Sequence, residues 1–124
     1  NDETIAGEIL GELNDTEQQS CVNLCGKTSL EEAIDLLSLV KVVISNDSGL
    51  MHISAALDKP VIALYGSTSP EFTPPMASKV RLLATDIECR PCFKRNCPYG
   101  HQKCMQDLKP ELALNAVADL TAEL

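Results

Sequence analysis

The sequence predicts an α/β domain in which a parallel sheet carries helices on both faces. Two observations lead there. The runs Val42-Val43-Ile44 and Val61-Ile62-Ala63-Leu64-Tyr65 are continuously apolar, as strands covered on both sides require. Between them Ile53-Ser54-Ala55-Ala56-Leu57 reads as a helix with small side chains, halted by Asp58-Lys59-Pro60. Together they make a strand-helix-strand unit, whose crossover should be right-handed.

The remaining elements follow in order. The 124 residues are enough for one domain, so 1–124 is read as a single domain, and with only 3% aromatic residues its core must be built from Leu, Ile, Val and Ala. Ile5, Ile9, Leu10 and Leu13 place a helix over Asn1 to Leu13, which Gly11 weakens by up to about 1 kcal/mol if it is interior. No strand precedes that helix, so the chain reads as a fragment entering a domain part-way. Ser20 to Cys25 is predicted as a short strand, with Cys21 and Cys25 as small buried hydrophobes, leaving through Gly26-Lys27-Thr28-Ser29. Ser29 and Glu32 form a capping box, after which Leu30, Ala33, Ile34 and Leu37 mark one face of a helix. Beyond Tyr65, Gly66-Ser67-Thr68-Ser69 leads into a Pro-rich loop, Pro70 to Met76, and then a strand from Lys79 to Thr85. Pro110 opens a final helix whose Leu112, Ala113, Ala116, Val117, Leu120 and Leu124 should dock on the sheet.

Composition narrows the function. A formal charge of −8 argues against nucleic acid as a general partner. There is no signal-like leader, and no apolar run approaches the roughly 18 residues of a membrane span, which leads us to expect a cytoplasmic protein.

In a parallel sheet the strand exits open at one edge, where such folds bind ligands. The three predicted exits, at 26–29, 46–49 and 66–69, are all small, polar and glycine-containing. The central one, Ser45-Asn46-Asp47-Ser48-Gly49-Leu50-Met51-His52, is the sharpest. Asp47 or Ser48 can cap the helix, Gly49 removes a side chain where a ligand would approach, and the first amides carry partial positive charge. A phosphate can dock there without a basic residue. Asp47, which would repel phosphate, is better suited to accept hydrogen bonds from sugar hydroxyls. The plain alternative is a simple cap, with His52 an ordinary helix histidine.

The run Asn46-Asp47-Ser48-Gly49-Leu50-Met51-His52 through Tyr65-Gly66, with Ser69-Pro70-Glu71-Phe72-Thr73-Pro74-Pro75 after it, closely resembles the ADP-heptose:lipopolysaccharide heptosyltransferases. That resemblance covers residues 20 to 124 and implies a Rossmann-like domain, the C-terminal half of a two-domain GT-B glycosyltransferase. It implies ADP-heptose as donor and a lipopolysaccharide core as acceptor, with inverting transfer that needs no metal or other cofactor. It also implies roles: Thr28 near the adenine, and Asp47, Ser48, Gly49 and His52 at the diphosphate and heptose. Lys27 joins them only as a neighbouring charge. The family's general base lies in the N-terminal domain, so these residues alone should bind and not turn over.

Residues 86–105 form a Cys-rich, basic loop. Cys89, Cys92, Cys97 and Cys104 stand in a C-x₂-C-x₄-C-x₆-C pattern, and residues 79–104 hold six Lys or Arg against two acids. Three readings compete: a structural zinc site, although the x₄ and x₆ gaps are unlike a standard knuckle; reduced thiols; or disulfides in an oxidising setting. A metal-binding interaction module built on this cluster is therefore the alternative to the transferase, and a transferase using another nucleotide sugar is a third. The basic residues Arg90, Lys94, Arg95 and Lys103, with Phe93 and Tyr99, could meet anionic acceptor or lipid head groups, giving peripheral contact with the inner membrane.

Overall fold

The computed structural model describes residues 2–124. Its elements are α1 (Asp2–Gly11), α2 (Asp15–Gln19), α3 (Leu30–Leu39), β1 (Val43–Asn46), α4 (Gly49–Ala56), β2 (Val61–Tyr65), β3 (Val80–Ala84), α5 (Lys103–Gln106) and α6 (Pro110–Ala122). The chain divides into two compact units, one reaching to Asp35 and the other Leu36–Leu124.

In the second unit β1, β2 and β3 form a parallel sheet in that order, with Val43 opposite Val61 and Val61 opposite Val80. The central strand explains its own unbroken apolar run. Val61, Ala63 and Tyr65 point to the face where Met51 and Ala55 of α4 pack, whereas Ile62 points to the face where Ala116 and Leu120 of α6 pack. Both faces of β2 are thus covered, as expected, whereas on the edge strand β1 the expectation fails, since Ile44 is 49% exposed. Leu120 is fully buried and contributes roughly 1.5–3 kcal/mol on that account.

Local chemistry sets the helix bounds. The Ser48 backbone is extended and its side chain accepts from the Met51 amide, so Ser48, not Asp47, is the cap of α4. Ser54 is buried on that helix and returns its hydroxyl to the Leu50 carbonyl at 2.7 Å, which lets a small polar residue sit in the core. At its far end Asp58 adopts a left-handed conformation (φ 52°) and takes hydrogen bonds from the Ser78 amide and hydroxyl at 2.7 and 3.1 Å. Those bonds hold the Asp58 carboxyl below its ordinary pKa. Pro110 occupies the first turn of α6, as its missing N–H allows.

The link from β2 to β3, residues 66–79, contains no helix. Ala77 packs it against the α4 side of the sheet, and the buried Tyr65 hydroxyl donates to the Thr73 carbonyl at 2.6 Å.

In the first unit the structure corrects one expectation. Residues 20–25 form no strand, and the reason is local. The Ser20 and Cys21 amides finish the last turn of α2 by bonding to Glu17 and Gln18, the Cys25 amide bonds to the Asn23 side chain, and the Lys27 amide bonds to Leu24. Groups that a ladder needs are already spent. Val22 is 79% exposed, Cys21 is exposed and Cys25 half-buried, so neither cysteine is the buried hydrophobe expected. The exit at 26–29 therefore follows a turn rather than a strand, with Gly26 at φ 72° and the Glu3 carboxylate filling the place a Cβ would take. The first helix runs to Gly11, so that glycine is terminal rather than interior; Asn1, included in the expected helix, lies outside the described residues.

Candidate functional site

Because the strands are parallel, the chain leaves β1 at Asn46 and β2 at Tyr65 along one edge of the sheet. There Asp47, Ser48, Gly49 and His52 share a single turn. Gly49 and Leu50 are exposed, and a Cβ at Gly49 would meet nothing within 4 Å. Within α4 the first amides have no helical acceptor; that of Met51 goes to the Ser48 hydroxyl at 3.4 Å, those of Gly49 and Leu50 precede it, and no acidic residue stands in the first turn. Such a start can receive an anion.

The Asp47 carboxylate is held on both sides. Its Oδ2 accepts from the Thr73 hydroxyl at 2.8 Å, and its Oδ1 lies 3.8 Å from His52 Nε2, within ion-pair reach when the imidazole is protonated. Its side chain is 14% exposed and that of His52 44%, so the histidine presents a ring to solvent while the aspartate is recessed. Beneath them, burial and the Asp47 charge raise the pKa of Tyr65, which stays a neutral donor. Ser45 and Ser48 share a hydroxyl contact of 3.2 Å at the base of the turn.

Thr73 is the site residue that sequence reasoning missed. It arrives from 26 positions away, and the only hint was a polar residue set between Phe72 and two prolines. Lys27 and Thr28 belong to the other compact unit, where Lys27 is exposed and Thr28 half-buried.

The four cysteines of the 86–105 loop do come together. Cys89, Cys92, Cys97 and Cys104 line one pocket of about 190 Å³ with His101 and Met105. All six cysteines are unpaired, and among the described residues no group of three or more His, Cys, Asp or Glu is placed to hold a metal ion. Backbone amides, chiefly that of Gln102, surround the Cys97 sulfur and lower its pKa. Arg90 proves structural: its guanidinium donates to the Gly66, Thr85 and Thr68 carbonyls at 3.0, 3.3 and 3.1 Å, bolting the loop to the exits of β2 and β3. That commitment removes it from the residues expected to face a head group.

A parallel sheet whose central strand is covered on both faces by helices, with a helix starting at the strand-exit edge, is the architecture of an α/β domain. The comparisons with known proteins give the family. Residues 1–103 match the pattern of Glycosyltransferase family 9 (heptosyltransferase), and the chain belongs to that family. It is 39% identical over 122 residues to lipopolysaccharide heptosyltransferase 2 of Salmonella typhimurium, covering 98% of this chain and 35% of that protein. It is 43% identical over 126 residues to lipooligosaccharide heptosyltransferase 2 of Haemophilus influenzae, covering 98% and 36%. Its fold matches the structure of E. coli ADP-heptose lps heptosyltransferase II with a TM-score of 0.84 at 37% identity, over 98% of this chain and 34% of that one. The chain thus spans about a third of the length of these relatives and is a C-terminal piece of the GT-B fold. No helix among the described residues is long and apolar enough to cross a membrane.

Proposed function

We propose that this chain supplies the donor-binding part of a transferase that moves heptose from ADP-heptose to the lipopolysaccharide inner core. The observation that carries the reading is the open start of α4, with free space at Gly49 and a recessed carboxylate beside it. The diphosphate sits against the amides of Gly49 and Leu50 and the Ser48 hydroxyl. Asp47 accepts from heptose hydroxyls.

In an inverting transfer the acceptor oxygen attacks the anomeric carbon as the bond to the diphosphate breaks. ADP departs with the electron pair, and the acceptor proton passes to a base, which we place in a part of the protein beyond these residues. The helix amides and His52 stabilise the charge gathering on ADP; donors aimed at developing charge are each worth roughly 10²–10³ in rate. No metal enters the step. The acceptor is anionic, and Lys94, Arg95 and Lys103 offer peripheral contact with it or with the inner membrane from the cytoplasmic side.

Titrating the protein that carries this chain with ADP, UDP and GDP, and following heptose transfer by mass spectrometry, tests the reading. Preference for ADP and product formation are expected. Stoichiometric zinc on Cys89, Cys92, Cys97 and Cys104 under reducing conditions, with no ADP response, would favour the metal-module alternative instead.

A further inference from the structure

The Pro-rich loop after β2 is bound into the helix-start turn through one threonine. Thr73 has a single hydroxyl hydrogen and two acceptors in reach, Asp47 Oδ2 at 2.8 Å and the Ser69 carbonyl at 3.3 Å. The shorter, charge-assisted bond takes it. Thr73 is itself fixed from behind. Its carbonyl accepts from the buried Tyr65 hydroxyl at 2.6 Å, its amide donates to the Ser69 carbonyl at 3.2 Å, and Pro74 after it restricts its backbone to extended conformations. The loop is thus stitched to the sheet at the residue whose hydroxyl donates to the carboxylate.

From this geometry we infer that Thr73 is a positioning residue for the sugar end of the donor. By engaging Oδ2 it sets the rotamer of Asp47 in which Oδ1 lies 3.8 Å from His52 Nε2, on the side left for a sugar hydroxyl. Without the hydroxyl, Oδ2 is left half-buried and unpaired, and the carboxylate must turn to find a donor. Tyr65 acts one step further back, holding the Thr73 backbone. The inference rests on the donor reading above and adds a specificity to it: Thr73 matters for the sugar and not for the nucleotide.

Calorimetric titration of the whole protein with ADP-heptose and with ADP tests this, using Thr73→Val, Thr73→Ser, Asp47→Ala and the Asp47→Ala/Thr73→Val pair, with thermal melts in parallel. Thr73→Val should weaken ADP-heptose binding about tenfold and leave ADP within about twofold, as expected for loss of a bond that orients a charged group. Thr73→Ser should recover most of the loss, and the double variant should bind no worse than Asp47→Ala alone. Thr73→Val at wild-type affinity while Asp47→Ala is weak would overturn the positioning role alone. So would losses that multiply in the double variant, or equal losses for ADP and ADP-heptose. Wild-type ADP-heptose binding by Asp47→Ala would remove the donor reading itself, and the inference with it.

Discussion

Two helices in this molecule begin on a serine cap, and they begin differently. At α3 the box is closed: the Glu32 carboxylate accepts from the Ser29 amide at 2.8 Å, the Ser29 hydroxyl accepts from the Glu32 amide at 3.1 Å, and Glu31 and Glu32 load the first turn with negative charge. At α4 the start is open: the Ser48 hydroxyl accepts from the Met51 amide at only 3.4 Å, the first turn has no acid, and glycine stands at its head. The two differ in anchorage as well. No residue of α3 is buried, whereas Met51, Ser54 and Ala55 of α4 are. A helix dipole alone does not make an anion site; what sets α4 apart is a first turn without acids and a rigid seat in the core, with the Asp47 carboxylate lying just before its cap.

The largest expected effect lies in that seat. Met51→Ala, at a fully buried position, should cost about 2–5 kcal/mol in denaturant unfolding. Leu30→Ala at the head of α3, where the side chain is 59% exposed, should stay within roughly 0.5 kcal/mol. A large loss at Leu30 would break the contrast. Next comes binding: His52→Ala should weaken ADP about tenfold, by loss of a hydrogen bond to a charged group, while Glu31→Ala leaves it unchanged. Smaller still are the caps. Ser29→Ala should cost about 1 kcal/mol and Ser48→Ala less, following the longer bond at α4.

The Cys97 thiol, ringed by backbone amides, sharpens the comparison without touching stability. Its pKa is lowered, so the thiolate persists as pH falls through the ordinary thiol range. Alkylation mapped by mass spectrometry should therefore hold its rate at Cys97 to lower pH than for a free cysteine in solution. A midpoint at the solution value would mean those amides do not face the sulfur.

What could be read from the sequence was what neighbours in the chain decide. Ser29 with Glu32, Ser48 before Gly49, Pro110 at a helix start and the apolar run of β2 all act over a few residues, and each was legible. Asn14 with Glu17 carries the same signature as Ser29 with Glu32 and caps α2, but one turn with no buried residue offers no periodicity to read. The strand expected at 20–25 failed because a strand is a pairing, and nothing in an apolar hexapeptide says whether a partner is present or whether Asn23 will claim a neighbouring amide. Of the candidate site, Asp47, Ser48, Gly49 and His52 share one turn and could be read together. Thr73 could not, because its bond to Asp47 spans 26 positions and depends on how the loop after β2 folds back.

The most direct test gives α4 the start of α3. Gly49→Glu places a carboxylate where a Cβ meets no other atom, and an acid in a first turn favours the helix by about 0.3–1 kcal/mol. The protein should melt no lower than wild type and bind ADP at least about tenfold more weakly by calorimetry, as like charge displaces the diphosphate. ADP bound at wild-type strength by that variant would contradict the account, because the diphosphate would then lie somewhere other than the open start of this helix.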